Sequence, residues 1–191
     1  MKHLLKFKLF ENLDNSTQVS IDEFLEKVGI PESKRPQIIN WWNENRRDFI
    51  IHYFNFSSPQ PIAGCFLDTN IVCINSRLPI PPHIKLFLAL HESRHCDQHK
   101  EEGFMEGYYN SVVSGDKEYF LQTYAELERD ANDFAVQSMR ECGFDREISF
   151  EEQRLRGNER AGEMVYQMMT NDINRLNPVD FFDLLKKQMG V

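Results

Sequence analysis

The sequence predicts an α+β fold in which helices flank a small antiparallel sheet of about three strands. Helix signals dominate residues 1–47 and 82–191, whereas β-forming residues concentrate in 48–75. The chain has 191 residues, 41% hydrophobic and 27% charged, which is ordinary for a globular protein. This length favours one domain, whose N-terminal helical part (residues 1–47) precedes the sheet. Within this single domain of residues 1–191, the sheet and the two long helices after it occupy 48–142, and further helices occupy 143–191.

Two helices are predicted before the sheet. The first follows Ser20 and covers IDEFLEKV, because Gly29 is a typical residue at a helix end and Pro31 cannot continue the helix. The second covers PQIINWWNENRR and has a bulky apolar face. This pair resembles a helix-turn-helix superficially, but its basic residues are few and a strand follows. We therefore expect no nucleic-acid binding.

Three strands are predicted next. DFIIHYFNF (48–56) is rich in β-forming residues, and SSPQP (57–61) then breaks the chain. IAGCFLD and NIVCINS follow as two strands, joined by a turn at 68–70. Because consecutive strands with short connections usually pair with each other, the pattern predicts an antiparallel meander.

A long helix, HIKLFLALHESRHCDQHK, begins near Pro82 and ends before Gly103. Glycines and tyrosines in 103–115 predict a loop, after which a helix runs from about Asp116 to Glu141. Ser149 with Glu152 and the Asn-Pro pair at 177–178 predict two more helices towards the end of the chain.

The long helix contains an HExxH motif, formed by His91, Glu92 and His95. Histidines at positions i and i+4 lie one turn apart on one face, so both imidazoles can reach the same metal ion. Both continue an apolar stripe of this helix, formed by Ile84, Phe87 and Leu88. Glu92 lies beside this pair, where a carboxylate can deprotonate metal-activated water.

A catalytic zinc site usually has three protein ligands, and the helix ending at Glu141 offers a third. Glu128 borders its apolar stripe, being three residues before Ala131 and seven before Ala135. Asn132, one turn further on, is a candidate for holding a ligand in place. The small alanines permit a close approach to the HExxH helix.

Two other third ligands stay open. Glu126 and Asp130 form an E-x-x-x-D pair of the kind found in thermolysin-like sites, and His99 lies one turn after His95. A donor that stabilises the transition state is also needed, for which the candidates are His99, Tyr108, Tyr109 and Tyr124.

The two motifs together resemble those of the ImmA/IrrE-type metallopeptidases, whose pattern is HExxH followed by a helix with E-x-x-A-N-x-F-A. This chain has His91-Glu92-x-x-His95 and then Glu-Arg-Asp-Ala-Asn-Asp-Phe-Ala at 128–135. The resemblance covers about 62–139. It implies a zincin-like pair of active-site helices, His91, His95 and Glu128 as zinc ligands, and Glu92 as general base.

Charge and cysteine content restrict the partners and the location. The net charge is −8, which argues against non-specific nucleic-acid binding. No apolar run approaches the roughly 20 residues that span a bilayer, and lysines interrupt residues 1–10, so we expect no membrane segment or signal peptide. Cys65 and Cys73 can face each other across the hairpin, but the cysteine spacing favours reduced thiols and a cytoplasmic protein.

The sequence thus predicts a zinc-dependent peptidase that performs limited cleavage of a protein or peptide, such as a regulatory protein. Two alternatives stay open. One is a non-catalytic regulatory or binding protein that keeps the zinc site, and the other is a metal-free helical interaction protein.

Overall fold

The computed structural model describes residues 16–54, 63–66, 70–75, 79–100, 104–148, 162–163, 165–167 and 170. In chain order these form β1 (Ser16–Val19), α1 (Ile21–Val28), a 3-10 helix (Glu32–Lys34), α2 (Arg35–Asn45), β2 (Ile50–Phe54), β3 (Ala63–Phe66), β4 (Ile71–Asn75), α3 (Pro82–Lys100), α4 (Phe104–Ser114) and α5 (Lys117–Glu141). The fold is mixed α and β and mostly helical. The predicted helices after residue 148 lie largely outside the described residues.

Helix α1 shows how local sequence sets an element. The Ser20 side chain accepts a hydrogen bond from the Glu23 backbone N–H at 3.2 Å, and the Glu23 carboxylate accepts one from the Ser20 N–H at 2.9 Å. Gly29 ends the helix at φ +86°, in the left-handed region that favours glycine. The prediction of this helix from its two ends is therefore confirmed.

The sheet differs from the prediction. Among the described residues it has four strands in the order β1-β2-β4-β3, and not the expected three-stranded antiparallel meander. The β1–β2 and β3–β4 pairs are antiparallel, whereas β2 and β4 run parallel. Strand β4 takes an inner position because Val72, Cys73 and Ile74 are all fully buried, which requires cover on both faces. Strand β1, within the part predicted as helical, reads STQV and is too short and polar to stand out.

The β3–β4 hairpin is as predicted, although residues 67–69 of its turn lie outside the described part. Its register pairs Gly64 with Cys73 and Cys65 with Val72. Neighbouring residues in a strand point to opposite faces, so Cys65 and Cys73 do not face each other. All four cysteines lie in the described residues, are buried and form no disulfide.

Helices α3 and α5 lie where the sequence predicts them, but 104–114 was wrongly expected to be a loop. This segment is α4, whose Tyr108 and Val112 are buried one turn apart, with the Tyr108 ring 4.7 Å from that of Phe120 on α5. Gly107 faces α5, since a Cβ there would lie 3.0 Å from the Tyr119 hydroxyl. In this segment, the helical spacing of the buried apolar residues therefore predicts the structure better than the glycines do.

Helix α3 is central to the structure, because it packs against α5, β3, β4, α1 and α4. The main core forms where α1, α2, the sheet, α3 and the second half of α5 meet. Its fully buried large side chains include Phe24, Leu25, Ile38, Ile51, Val72, Ile74, Leu86 and Phe87. Among the described helices, none is both long enough and apolar enough to cross a membrane.

Candidate metal centre

Three side chains converge where α3 crosses α5. His91 and His95 lie on α3 and Glu128 lies on α5. The two Nε2 atoms are 3.0 Å apart. The Glu128 carboxylate places Oε2 3.3 Å from His91 Nε2 and Oε1 3.5 Å from His95 Nε2. One candidate ligand atom from each residue thus lies within 4.8 Å of the other two, which brings a His-His-Glu group near enough to bind a metal ion.

The helix geometry accounts for the histidine pair. Residues at i and i+4 are neighbours on one helix face, and here the two ring centroids lie 4.6 Å apart with the rings nearly perpendicular. His91 is 8% exposed and His95 4%, while the Glu128 side chain keeps 22% exposure. Three lone-pair donors converging in a mostly buried space are costly unless a cation or protons lie between them. The donor set therefore fits a metal ion that takes nitrogen and oxygen ligands.

Glu92 is buried beside His91 on α3. Its negative charge contributes to raising the pKa of Tyr124 on α5, so its carboxylate lies near that hydroxyl. The candidate general base thus lies at the same crossing of α3 and α5 as the His-His-Glu group.

Tyr124 contacts the group directly, because its side chain is hydrogen-bonded to Glu128. Burial is the main cause that raises the pKa of this phenol, and the charges and hydrogen bond of Glu128 and the charge of Glu92 raise it further. The hydroxyl therefore keeps its proton and donates a hydrogen bond to the Glu128 carboxylate.

Among the described residues, the other candidates are not members of the His-His-Glu group. Glu126 is exposed and accepts a hydrogen bond from Gln122 at 3.0 Å. Among the described residues, neither Glu126 nor His99 belongs to a group of side chains close enough together to hold a metal ion. Asn132 is buried one turn after Glu128. Tyr108 packs on Phe120, and the side chain of Tyr109 lies outside the described part.

Gln98 was not predicted. Its amide oxygen lies 2.7 Å from His95 Nδ1, and its amide nitrogen donates to the Leu127 carbonyl at 3.0 Å and to the Asp130 carboxylate at 2.7 Å. Asp130 also accepts from Arg94 Nε at 2.7 Å. The only signal in the sequence is a glutamine three residues after His95, on the inner side of the helix.

The chain matches no protein-family model, no curated protein and no solved structure. The structure is that of a mixed α and β protein. Its His-His-Glu group, at the crossing of α3 and α5, has ligand atoms close enough together to bind a metal ion. The function is therefore argued from the chemistry of this group.

Proposed function

We propose that this protein is a zinc-dependent peptidase of the ImmA/IrrE-like kind, with His91, His95 and Glu128 as the metal ligands and Glu92 as the general base. The observation that carries the proposal is the approach of Glu128 to both histidines, at 3.3 and 3.5 Å. The HExxH motif explains the histidine pair alone, whereas a third ligand from a separate helix is what a catalytic site needs.

Two imidazoles and one carboxylate form a ligand set that suits zinc and leaves a coordination position for water or substrate. When bound, zinc polarises a peptide carbonyl and makes water acidic enough to attack near neutral pH. The chain itself holds the site together, because the ligands come from two helices that pack closely on each other.

Glu92 holds and moves the proton in this proposal. Its carboxylate is buried next to His91, where it takes the proton from the attacking water and then gives it to the leaving amine. Because this carboxylate is buried, few bulk water molecules can reach it and compete for the proton.

Tyr124 is assigned to the support of Glu128. Because burial and two carboxylates raise the pKa of its hydroxyl, Tyr124 stays protonated and donates to the ligand carboxylate. This hydrogen bond orients Glu128 towards the histidines. The roles of Asn132 and His99 as further contacts to substrate or ligands stay predictions.

For the substrate, we propose a protein or peptide that is cleaved at few sites, such as a regulatory protein. The four cysteines form no disulfide, which is consistent with the reducing environment of the cytoplasm, where we propose the protein acts.

The test compares wild type with Glu92→Gln, and Glu126→Gln serves as a matched control because Glu126 is an exposed glutamate outside the group. Each variant is expressed in the same cells, and new protein termini are mapped across the proteome. We expect termini that appear with wild type and Glu126→Gln but not with Glu92→Gln, while all three proteins hold about one zinc per chain.

Equal cleavage by Glu92→Gln would remove Glu92 as the base. Zinc binding by wild type without any difference in termini would favour a non-catalytic regulatory protein with the same site. Absence of a bound transition metal after zinc reconstitution would exclude both.

A further inference from the structure

Gln98 is a neutral side chain held from three directions. It is 2% exposed on α3, one turn after His95. Its amide group meets His95 Nδ1 at 2.7 Å, the Leu127 carbonyl at 3.0 Å and an Asp130 carboxylate oxygen at 2.7 Å. The last two partners lie on α5, so Gln98 joins the two helices that carry the candidate metal ligands.

The partners on α5 determine which way the amide points. A backbone carbonyl accepts hydrogen bonds and cannot donate them, and the Asp130 carboxylate, which already pairs with Arg94 at 2.7 Å, does the same. Only the NH2 end of the Gln98 amide can satisfy both. The flipped amide would put its oxygen against two acceptors, in a buried position where such contacts are costly. The oxygen must therefore face His95.

That orientation in turn determines the tautomer of His95. The Gln98 oxygen has no proton to donate, so Nδ1 of His95 must carry the proton of their hydrogen bond. In the neutral ring Nε2 then carries the lone pair, and Nε2 is the atom that points to His91 and Glu128.

We infer that Gln98 is a positioning residue of the candidate metal centre, which holds His95 as the Nδ1–H tautomer with its Nε2 lone pair aimed at the metal position. The inference rests on the metal-binding part of the proposed function and needs no peptidase activity. Hydrogen bonds of this kind behind a metal-binding histidine typically contribute about 10–100-fold in metal affinity.

His91 provides an internal contrast. Its Nδ1 is buried and has no hydrogen-bond partner within the described part of the structure. Its ring is instead tilted against Phe87, with the centroids 6.1 Å apart. The direct hydrogen bond from Gln98 is thus made to only one of the two histidines.

The first test reads the tautomer in metal-free protein by long-range ¹H–¹⁵N NMR of the histidine rings. We expect His95 of wild type to be protonated on Nδ1. Gln98→Met keeps a side chain of similar length but removes the acceptor, and should give a mixture of tautomers at His95. Gln122→Met, an exposed glutamine on α5, should leave the ring signals of both histidines unchanged. Protonation of His95 on Nε2 in wild type would overturn the inference.

The second test measures zinc affinity by competition with a chromophoric chelator. Gln98→Met should lower the affinity by about 10–100-fold, and Gln122→Met by less than about 2-fold. Asp130→Ala removes contacts that join α3 to α5 but leaves the His95–Gln98 hydrogen bond, and it should lower the affinity by less than about 5-fold. An equal loss for Asp130→Ala and Gln98→Met would show that helix contact, and not the tautomer of His95, sets the affinity, and would overturn the inference.

The two proposals fail separately. Wild type that binds zinc but cleaves nothing would remove the peptidase and leave the role of Gln98 intact. An active wild type whose zinc affinity is unaffected by Gln98→Met would remove the role of Gln98 and leave the peptidase.

Discussion

Within the described part of the chain, two of the polar junctions between helix α5 and other helices differ in what completes them. At the first, near its middle, α5 brings Glu128 against His91 and His95 of α3, and all three offer lone pairs to the same space. At the second, around its C-terminal end, α5 and the residues after it meet α2 and the preceding 3-10 helix through pairs of hydrogen-bond donors and acceptors.

The second junction is formed from matched pairs. Trp41 Nε1 donates to the Glu141 carboxylate at 2.6 Å, and the Gln37 amide donates to the Glu141 backbone carbonyl at 2.7 Å. Lys34 Nζ lies 2.6 Å from Glu147 and donates to the Gly143 carbonyl at 3.2 Å. These groups need nothing from outside the chain.

The comparison indicates how a contact that is complete within the chain differs from one that a metal ion would complete. At the second junction, hydrogen-bond donors are paired with acceptors. The first junction has an excess of buried acceptors, which a cation would satisfy. Changes at the first junction should therefore alter metal affinity, and changes at the second should alter only the stability of the fold, and by little.

The largest effect is expected from Glu128→Ala. Removing one of three proposed ligands should lower zinc affinity by more than the roughly 100-fold that supporting contacts contribute. Glu126→Ala, at an exposed position on the same helix, should leave the affinity within about 2-fold of wild type. Both variants are titrated with zinc against a chelator. Loss of zinc from Glu126→Ala with retention in Glu128→Ala would instead support the E-x-x-x-D pairing of Glu126 with Asp130.

Zinc itself should stabilise the fold, because a metal bound across α3 and α5 binds the native state only. At a free concentration about 1,000 times the dissociation constant, wild type should gain about 4 kcal/mol in its free energy of unfolding. Denaturant unfolding with zinc and with a chelator measures this gain. Because its affinity should be more than about 100-fold lower, Glu128→Ala should gain less than about 1.4 kcal/mol at the same zinc concentration, and an equal gain in both proteins would place the metal elsewhere.

An intermediate effect is expected from Tyr124→Phe, which removes the donor to Glu128 and keeps the ring. Zinc affinity should fall by about 10-fold, since a ligand carboxylate loses its supporting hydrogen bond. Tyr119→Phe is the control, because Tyr119 is a largely exposed tyrosine on the same helix. If the two variants bind zinc equally well, Tyr124 has only a packing role.

The smallest effect is expected from Lys34→Met at the second junction. The free energy of unfolding should fall by less than about 1 kcal/mol, because the ion pair between Lys34 and Glu147 is partly exposed. Zinc affinity should not change. A change in zinc affinity comparable to that of Tyr124→Phe would contradict the division between the two junctions.

This junction also has an acid dependence. The hydrogen bond from Lys34 is the main cause that lowers the pKa of Glu147 below the ordinary 4.5. A lowered pKa in the native state stabilises the fold above the unfolded value, and that contribution is lost as pH falls through the native value. Acid titration of stability should therefore be slightly less steep below about pH 4.5 in Lys34→Met than in wild type.

Most of the helices could be predicted from the sequence, since their signals are local. Ser20 with Glu23 and Gly29 set the two ends of α1, and Asp116 accepts from the Tyr119 N–H at the start of α5. The sheet could be predicted only in part. The β3–β4 hairpin depends on neighbouring residues, whereas the parallel β2–β4 pair and the β1–β2 pair join segments separated along the chain.

The candidate site divides in the same way. The HExxH spacing by itself determined that His91 and His95 share a helix face, because four residues on a helix make about one turn. The apolar stripe of α5 favoured Glu128 over Glu126, but only the tertiary structure decided that Glu128 reaches both histidines and that Gln98 faces His95. Both depend on the angle and depth at which α5 packs on α3, which arise from burial along the whole helix and not from any local pattern.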